Sequence, residues 1–381
     1  MGQDLFRYLP SEIFMVILLR LSPEVISTCR CVCKAWLDLI ESDVFHKSHP
    51  LALVVSMPGR YSNWFSVFKL EGEHEQDLID EFDFPQASTI LGSVNGLLLL
   101  GNEDRDLYVC NPLTSGFVEL HGPPSPTCRQ REESYGFVEL HGPPSPTCRQ
   151  REESYGFGVS KISGQYKVVC HDYRYPKYEF HVYTLEAGSS LWRVVEAASP
   201  LFDRCDSSVG SFASGNLHWL VSCRGGMPYV CCFDLETECF STFSLPPNRA
   251  SIEGKLCTLG DYLCFYDDEG YCNVTIWLLK EYEQADKRWI EVLKVPHFSI
   301  HCFHPIKVYE NGNMMLWRRM DLLYYSNESG KVREIGSFRE LCDSYQRMWY
   351  AGRCDINSIC LTPSYLHVKR VFLGMENIIS F

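Results

Sequence analysis

The chain is 381 residues long, 45% hydrophobic and 22% charged, with a formal net charge of −13. Such a chain is globular and holds either one closed β architecture or a small domain beside a large one. The acidic balance, with no Lys/Arg run, excludes a nucleic-acid backbone as partner.

The opening stretch MGQDLFRYLP lacks a basic region followed by an apolar one, so no secretory leader is read there. The apolar run IFMVILL is too short to cross a bilayer, and no membrane is expected. The 19 cysteines are odd in number, never stand as C-x-x-C and mostly sit in strand-like runs such as YVCCF. They read as buried, reduced thiols of a cytoplasmic or nuclear protein.

Residues 1–50 are helical in pattern. Ile13, Ile17, Leu18 and Leu21 recur on one helical stripe, with Pro10 near the start, where a missing N–H costs nothing. Ser22-Pro23-Glu24 restarts the chain with a cap, a first-turn Pro and an acid. A third segment runs from about Cys33 to Glu41, with Val32, Trp36, Leu39 and Ile40 on one face. Three short helices bury little surface alone, and such a module keeps an apolar face for a partner. The same side chains would also suit a plain core, and many can do both jobs.

These residues resemble the F-box. The match lies in Leu9-Pro10-x-Glu12, Ile17-Leu18-x-Arg20-Leu21, Val32-Cys33-Lys34-x-Trp36, Leu39-Ile40 and Phe45. The resemblance implies docking on a Skp-type adaptor, and through it on a cullin scaffold. Leu9, Pro10, Ile13, Ile17, Leu18, Leu21, Val32, Cys33 and Trp36 would form the docking face. Two departures would weaken it: Leu21-Ser22-Pro23 in place of the usual Leu-Pro, and Cys29 where a larger apolar residue is common.

After Pro50 short apolar strands alternate with turns. Gly96, Gly164, Gly215, Gly260 and Gly312 each mark a hairpin turn before a strand of large apolar residues. The interval from Gly96 to Gly164 exceeds the others by about the length of a twenty-residue segment, GFVELHGPPSPTCRQREESY. That segment occupies Gly116–Tyr135 and recurs at once at Gly136–Tyr155. The visible repeat, within residues 116–155, is therefore an insertion in a loop between units, and the real unit is a divergent one of about 48 residues, the period of a propeller blade. The second GFVEL could compete with the first for one strand position.

Five units are clear. LALVVSMP and NWFSVFKL before them, with INSICLT and YLHVKRVFLG after them, would close a ring of six blades, seven staying open. The segment from about residue 88 to 300 is similar to the plant F-box-associated domain, through GSVNGLLLL, LYVCNPLTS, YGFG, YKVV, NLHWLV, FDLETECF and IWLLKEY. The expected fold is a small all-α N-terminal module over residues 1–50, followed by an all-β propeller-like domain over 51–381.

No G-x-S-x-G, P-loop or other catalytic motif is present, so no catalytic residue and no cofactor is assigned. His297, His301, Cys302 and His304 in HFSIHCFH suggest zinc, but a strand-to-loop boundary would splay them, and no metal is assigned. Asp267, Asp268 and Glu269 in FYDDEG lack calcium-loop spacing. Tyr173, Tyr175 and Tyr178 of YRYPKY are candidates for target contact, against the plainer reading of a hairpin turn. The implied function is the substrate-recognition subunit of an SCF-type ubiquitin ligase with an unknown protein target. The alternatives are an F-box protein with a non-degradative binding role and an enzyme on a propeller scaffold.

Overall fold

The structure is a computed structural model. It describes residues 10–21, 23–40, 42, 44–45, 52–58, 63–70, 78–102, 104–114, 116–120, 122–123, 153–172, 179–185, 191–195, 204–205, 209–222, 227–247, 254–268, 273–281, 288–296, 303–318, 321–337 and 358–361.

Three short helices come first: α1 (Ser11–Leu18), α2 (Pro23–Cys29) and α3 (Lys34–Ile40). Pro10 precedes α1 in an extended conformation, and Pro23 is the first residue of α2, where proline suits the helix. Their shared core is Leu18, Ile26, Cys29, Ile40 and Phe45, with Trp36 packed against it. Trp36 meets Phe14 edge to face at 5.2 Å.

The buried stripe of α1 differs from the expected one. Phe14 and Leu18 point inward, while Ile13 and Ile17 are 47% and 43% exposed. IFMVILL is apolar all round, so periodicity allows two faces; the large Phe14 ring, one turn before Leu18, takes the inner one.

The remaining chain forms six antiparallel blades. The first contains β1 (Ala52–Pro58), β2 (Asn63–Lys69) and β3 (Leu78–Asp83). The second contains β4 (Thr89–Val94), β5 (Leu97–Gly101), β6 (Leu107–Asn111) and β7 (Gly116–Leu120). The third contains β8 (Glu153–Val159), β9 (Tyr166–Asp172), β10 (Glu179–Leu185) and β11 (Arg193–Val194). The fourth has five strands: β12 (Arg204–Cys205), β13 (Ser211–Ala213), β14 (Asn216–Ser222), β15 (Tyr229–Asp234) and β16 (Phe240–Ser244). The fifth contains β17 (Lys255–Leu259), β18 (Tyr262–Asp268), β19 (Asn273–Glu281) and β20 (Arg288–Pro296). The sixth contains β21 (Phe303–Val308), β22 (Met314–Arg318), β23 (Asp321–Ser326) and β24 (Lys331–Ser337). Last, β25 (Ser358–Leu361) pairs with β1 from Ala52↔Leu361 to Val55↔Ser358, so strands from both ends of the propeller segment complete one blade.

An apolar layer separates each pair of neighbouring blades. Phe65 and Leu98 face each other across blades one and two, Leu99 and Phe157 across two and three, and Phe180 and Trp219 across three and four. Val230 and Phe265, then Ile276 and Met314, continue the ring. Leu53 and Trp317 close it between blades one and six. Because both faces of a blade are covered, inner strands such as β5 are buried at every residue, which explains runs like LLLLG.

All five turn glycines read from the sequence have positive φ. In Asn95-Gly96 both turn residues do, at 48° and 75°, as a two-residue hairpin with the twist of its strands requires.

The two copies of the repeat serve different strands. The first supplies Gly116–Leu120 to β7, and the second supplies Glu153-Ser154-Tyr155 to β8. Residues 133–139, ESYGFVE, share their first five letters with β8, ESYGFGV. They differ at Gly158, where an added Cβ would lie 2.5 Å from Phe212 and 2.6 Å from Leu235. A valine cannot enter there, so only the second copy's end fits β8.

Candidate functional site

The helical module lies against one rim of the propeller. Its core includes Leu113, from the turn between β6 and β7, and packs on Ile79 at the start of β3. Several apolar side chains of the helices are open to solvent. Ile13, Val16 and Ile17 line α1 at the i, i+3, i+4 spacing of one stripe, and Val25 on α2 and Val32 before α3 are also exposed. Val32 is 59% exposed. Cys31 and Cys33 beside it are exposed free thiols, and Pro10 is exposed too.

The expected docking residues therefore divide. Pro10, Ile13, Ile17, Val32 and Cys33 lie on the surface. Leu21 and Trp36 are half-buried, with one side in the helical core. Leu18 is 1% exposed and faces that core, so its place is structural rather than on the docking surface. Leu9 lies outside the described residues. Val16 and Val25 were not read from the sequence; completing the Ile13–Ile17 stripe at i+3 would have found Val16.

Strand direction places the other candidates at the far rim. β9 runs away from the helices' rim, and β10 returns, so the strand ends flanking residues 173–178 lie opposite the helical module. Tyr173, Tyr175 and Tyr178 themselves lie outside the described residues. The end of β7 and the start of β8, which flank residues 121–152, lie at the same far rim.

That rim is fastened by a polar cluster between blades two and three. Arg105 Nε lies 2.6 Å from Glu153 Oε1, and the Tyr155 hydroxyl donates to Glu153 Oε2 at 2.6 Å. Burial, then the neighbouring Cys170 and the Glu153 charge, push the Tyr155 phenol far above its ordinary range. Arg105 has φ +75, a backbone state that side chains rarely take. A Cβ on Gly122 would lie 2.4 Å from the Arg105 carbonyl oxygen, so only glycine lets the chain pass there. Trp219 Nε1 donates to Ser154 Oγ at 2.9 Å, tying β8 to blade four.

Of the three histidines and the cysteine in the histidine-rich stretch, His304 alone is among the described residues. It stands on β21, 2.9 Å from the Tyr266 hydroxyl, and burial and then Lys255 hold it down at about 4. His297, His301, Cys302 and Glu269 lie outside the described residues. Asp267 is fully buried on β18, in a strand rather than a calcium-type loop. Among the described residues no three His, Cys, Asp or Glu side chains stand close enough to share a metal ion. The arrangement suits protein contact: an apolar helical face on one side, and a ring of strand ends on the other.

Comparison with known proteins agrees with this geometry. A family model described as F-box associated beta propeller domain matches residues 53–336, and one described as F-box-like matches residues 6–49. The Arabidopsis thaliana F-box protein At3g16210 is 26% identical over 63% of this chain; the match spans 61% of that relative, less than two thirds of its length. The Arabidopsis F-box protein At5g65850 is 25% identical over 74% of this chain and 69% of its own. F-box protein CPR1, also from Arabidopsis, is 25% identical over 75% and 73%. The solved structure of TolB from Acinetobacter baumannii aligns with TM-score 0.35 and 11% identity over 76% of this chain and 69% of that one, a likeness without functional meaning. Since the propeller model covers most of its length, the chain belongs to the F-box associated beta propeller domain family, with an F-box-like segment ahead of the propeller.

Proposed function

We propose that this chain is the substrate-recognition subunit of an SCF-type ubiquitin ligase, working in the cytoplasm or nucleus. The helical module docks a Skp-type adaptor, and through it a cullin scaffold; the far rim of the propeller holds a protein target. The chain supplies position and the other subunits supply chemistry: a held target lysine meets a charged ubiquitin carrier at raised effective concentration.

The observation that supports this reading is the open stripe Ile13, Val16 and Ile17 on α1, with Val32 also exposed. Side chains of that size gain about 1.5–3 kcal/mol each on full burial, so a free stripe of them favours a partner. Its placement opposite the strand ends that flank residues 173–178 lets adaptor and target bind together without competing.

The test is co-expression of the full chain with a Skp-type adaptor and a cullin, followed by gel filtration. One co-eluting complex is expected, lost in Ile17→Asp/Val32→Asp. Wild-type protein eluting alone would overturn the proposal.

A further inference from the structure

We propose that the hairpin joining β23 and β24 in blade six is a binding site for a small phosphate monoester. A cleft of about 380 Å³ opens there, lined by Tyr324, Ser326, Ser329, Lys331, Val332 and Arg333. The hairpin turn lies on the rim where the helices rest, because β23 and β24 are the third and fourth strands of their blade, as β6 and β7 are around Leu113. It stands apart from the far rim that holds the target, and the inference does not rest on that role.

The strand ladder puts two cations on one face. Lys331 pairs with Ser326 and Arg333 with Tyr324, and the period of two in a strand turns these four side chains the same way. Lys331 and Arg333 are thus neighbouring like charges in a chain whose net charge is −13. Glu328 in the turn and Glu334 beside Arg333 do not line the cleft. Lys331 makes no ion pair among the described residues. A doubly charged oxyanion between the two cations relieves their repulsion and bonds to both.

The arginine is already oriented. Its guanidinium carbon lies 5.1 Å from the centroid of the Tyr324 ring. Tyr324 is 3% exposed, and Asn313 Nδ2 donates to its hydroxyl at 2.7 Å, so the ring beneath the arginine is fixed. An arginine held this way loses less freedom when it takes a ligand. The turn adds hydroxyls. Gly330 takes a φ of +64, and its N–H donates to Ser326 O at 2.9 Å, closing the turn. Ser326 Oγ accepts from Ser329 N at 3.4 Å, and Ser329 Oγ accepts from Lys331 N at 3.4 Å. With both oxygens accepting, the hydroxyl protons are what these serines offer to a ligand. Ammonium, guanidinium and two hydroxyls make a donor set suited to phosphate oxygens. A phosphoryl group fills only part of the cleft, and the space against half-buried Val332 takes a small organic body.

The test is isothermal titration calorimetry of the full chain at constant ionic strength, with glycerol 3-phosphate, inorganic phosphate and glycerol. Glycerol 3-phosphate is expected to bind saturably at about 1 mM or tighter, inorganic phosphate more weakly, and glycerol not at all. Lys331→Ala/Arg333→Ala should weaken the binding by at least about tenfold, through the loss of two charge-assisted contacts. Both side chains are exposed, so the unfolding curve of that variant should match the wild type. Lys280→Ala/Lys294→Ala removes the same charge from exposed positions on blade five and should leave the affinity unchanged. Three results would overturn the proposal: no saturable heat from glycerol 3-phosphate, undiminished binding by the blade-six variant, or equal weakening by the blade-five one. Inorganic phosphate binding as tightly as glycerol 3-phosphate would contradict the monoester assignment. None of these results depends on adaptor binding.

Discussion

Ile17 and Leu18 are neighbours on α1 and face opposite ways, one open and one at 1% exposure. Leu18→Ala should therefore cost about 3 kcal/mol of stability through its cavity. Ile17→Asp should leave thermal stability within about 0.5 kcal/mol and abolish adaptor binding. Unfolding curves alongside a binding titration separate the two effects. His304 gives a pH signature. Above about 6.5 its ring is neutral in both folded and unfolded chains and contributes nothing to the balance. As pH falls from 6.5 towards its folded value of about 4, the unfolded chain takes up a proton that the folded one refuses, so stability drops. The shift corresponds to a loss of at most about 3 kcal/mol. In His304→Gln, denaturant titrations should show a shallower decline across that window.

At the scale of elements, the inner strands were legible because both faces of a blade are covered, which makes them apolar throughout and places a glycine at their turns. The outermost strands were harder to read. β3, LIDEFD, was not read as a strand at all: it is an edge with no fully buried residue, so it carries little apolar signal. The inner face of α1 was illegible for the opposite reason, an excess of apolar residues in IFMVILL. The repeat was read as an inter-blade insertion, and its two ends do lie in β7 and β8. Deleting residues 121–140 joins the same flanks by a shorter loop. That variant should unfold cooperatively and gain about 0.9 kcal/mol from loop closure. A loss of several kcal/mol in chemical denaturation would show that the inserted length makes contacts of its own.

For the whole molecule, ring closure rests on four pairs between β1 and β25. Ending the chain at residue 357 removes β25 and bares the edge of β1, an open template for another chain. The truncated protein should melt lower and self-associate on light scattering, with the full chain staying monodisperse. Closure matters to function because it fixes the two rims relative to each other: the helices rest at Leu113 and Ile79, and the strand ends flanking residues 173–178 lie opposite. The most direct test of that two-sided account is hydrogen exchange on the full chain with and without a Skp-type adaptor. The account predicts protection across residues 10–36 and unchanged exchange at residues 153–172 and 179–185. Protection at the far rim instead, or no protection anywhere at saturating adaptor, would contradict it.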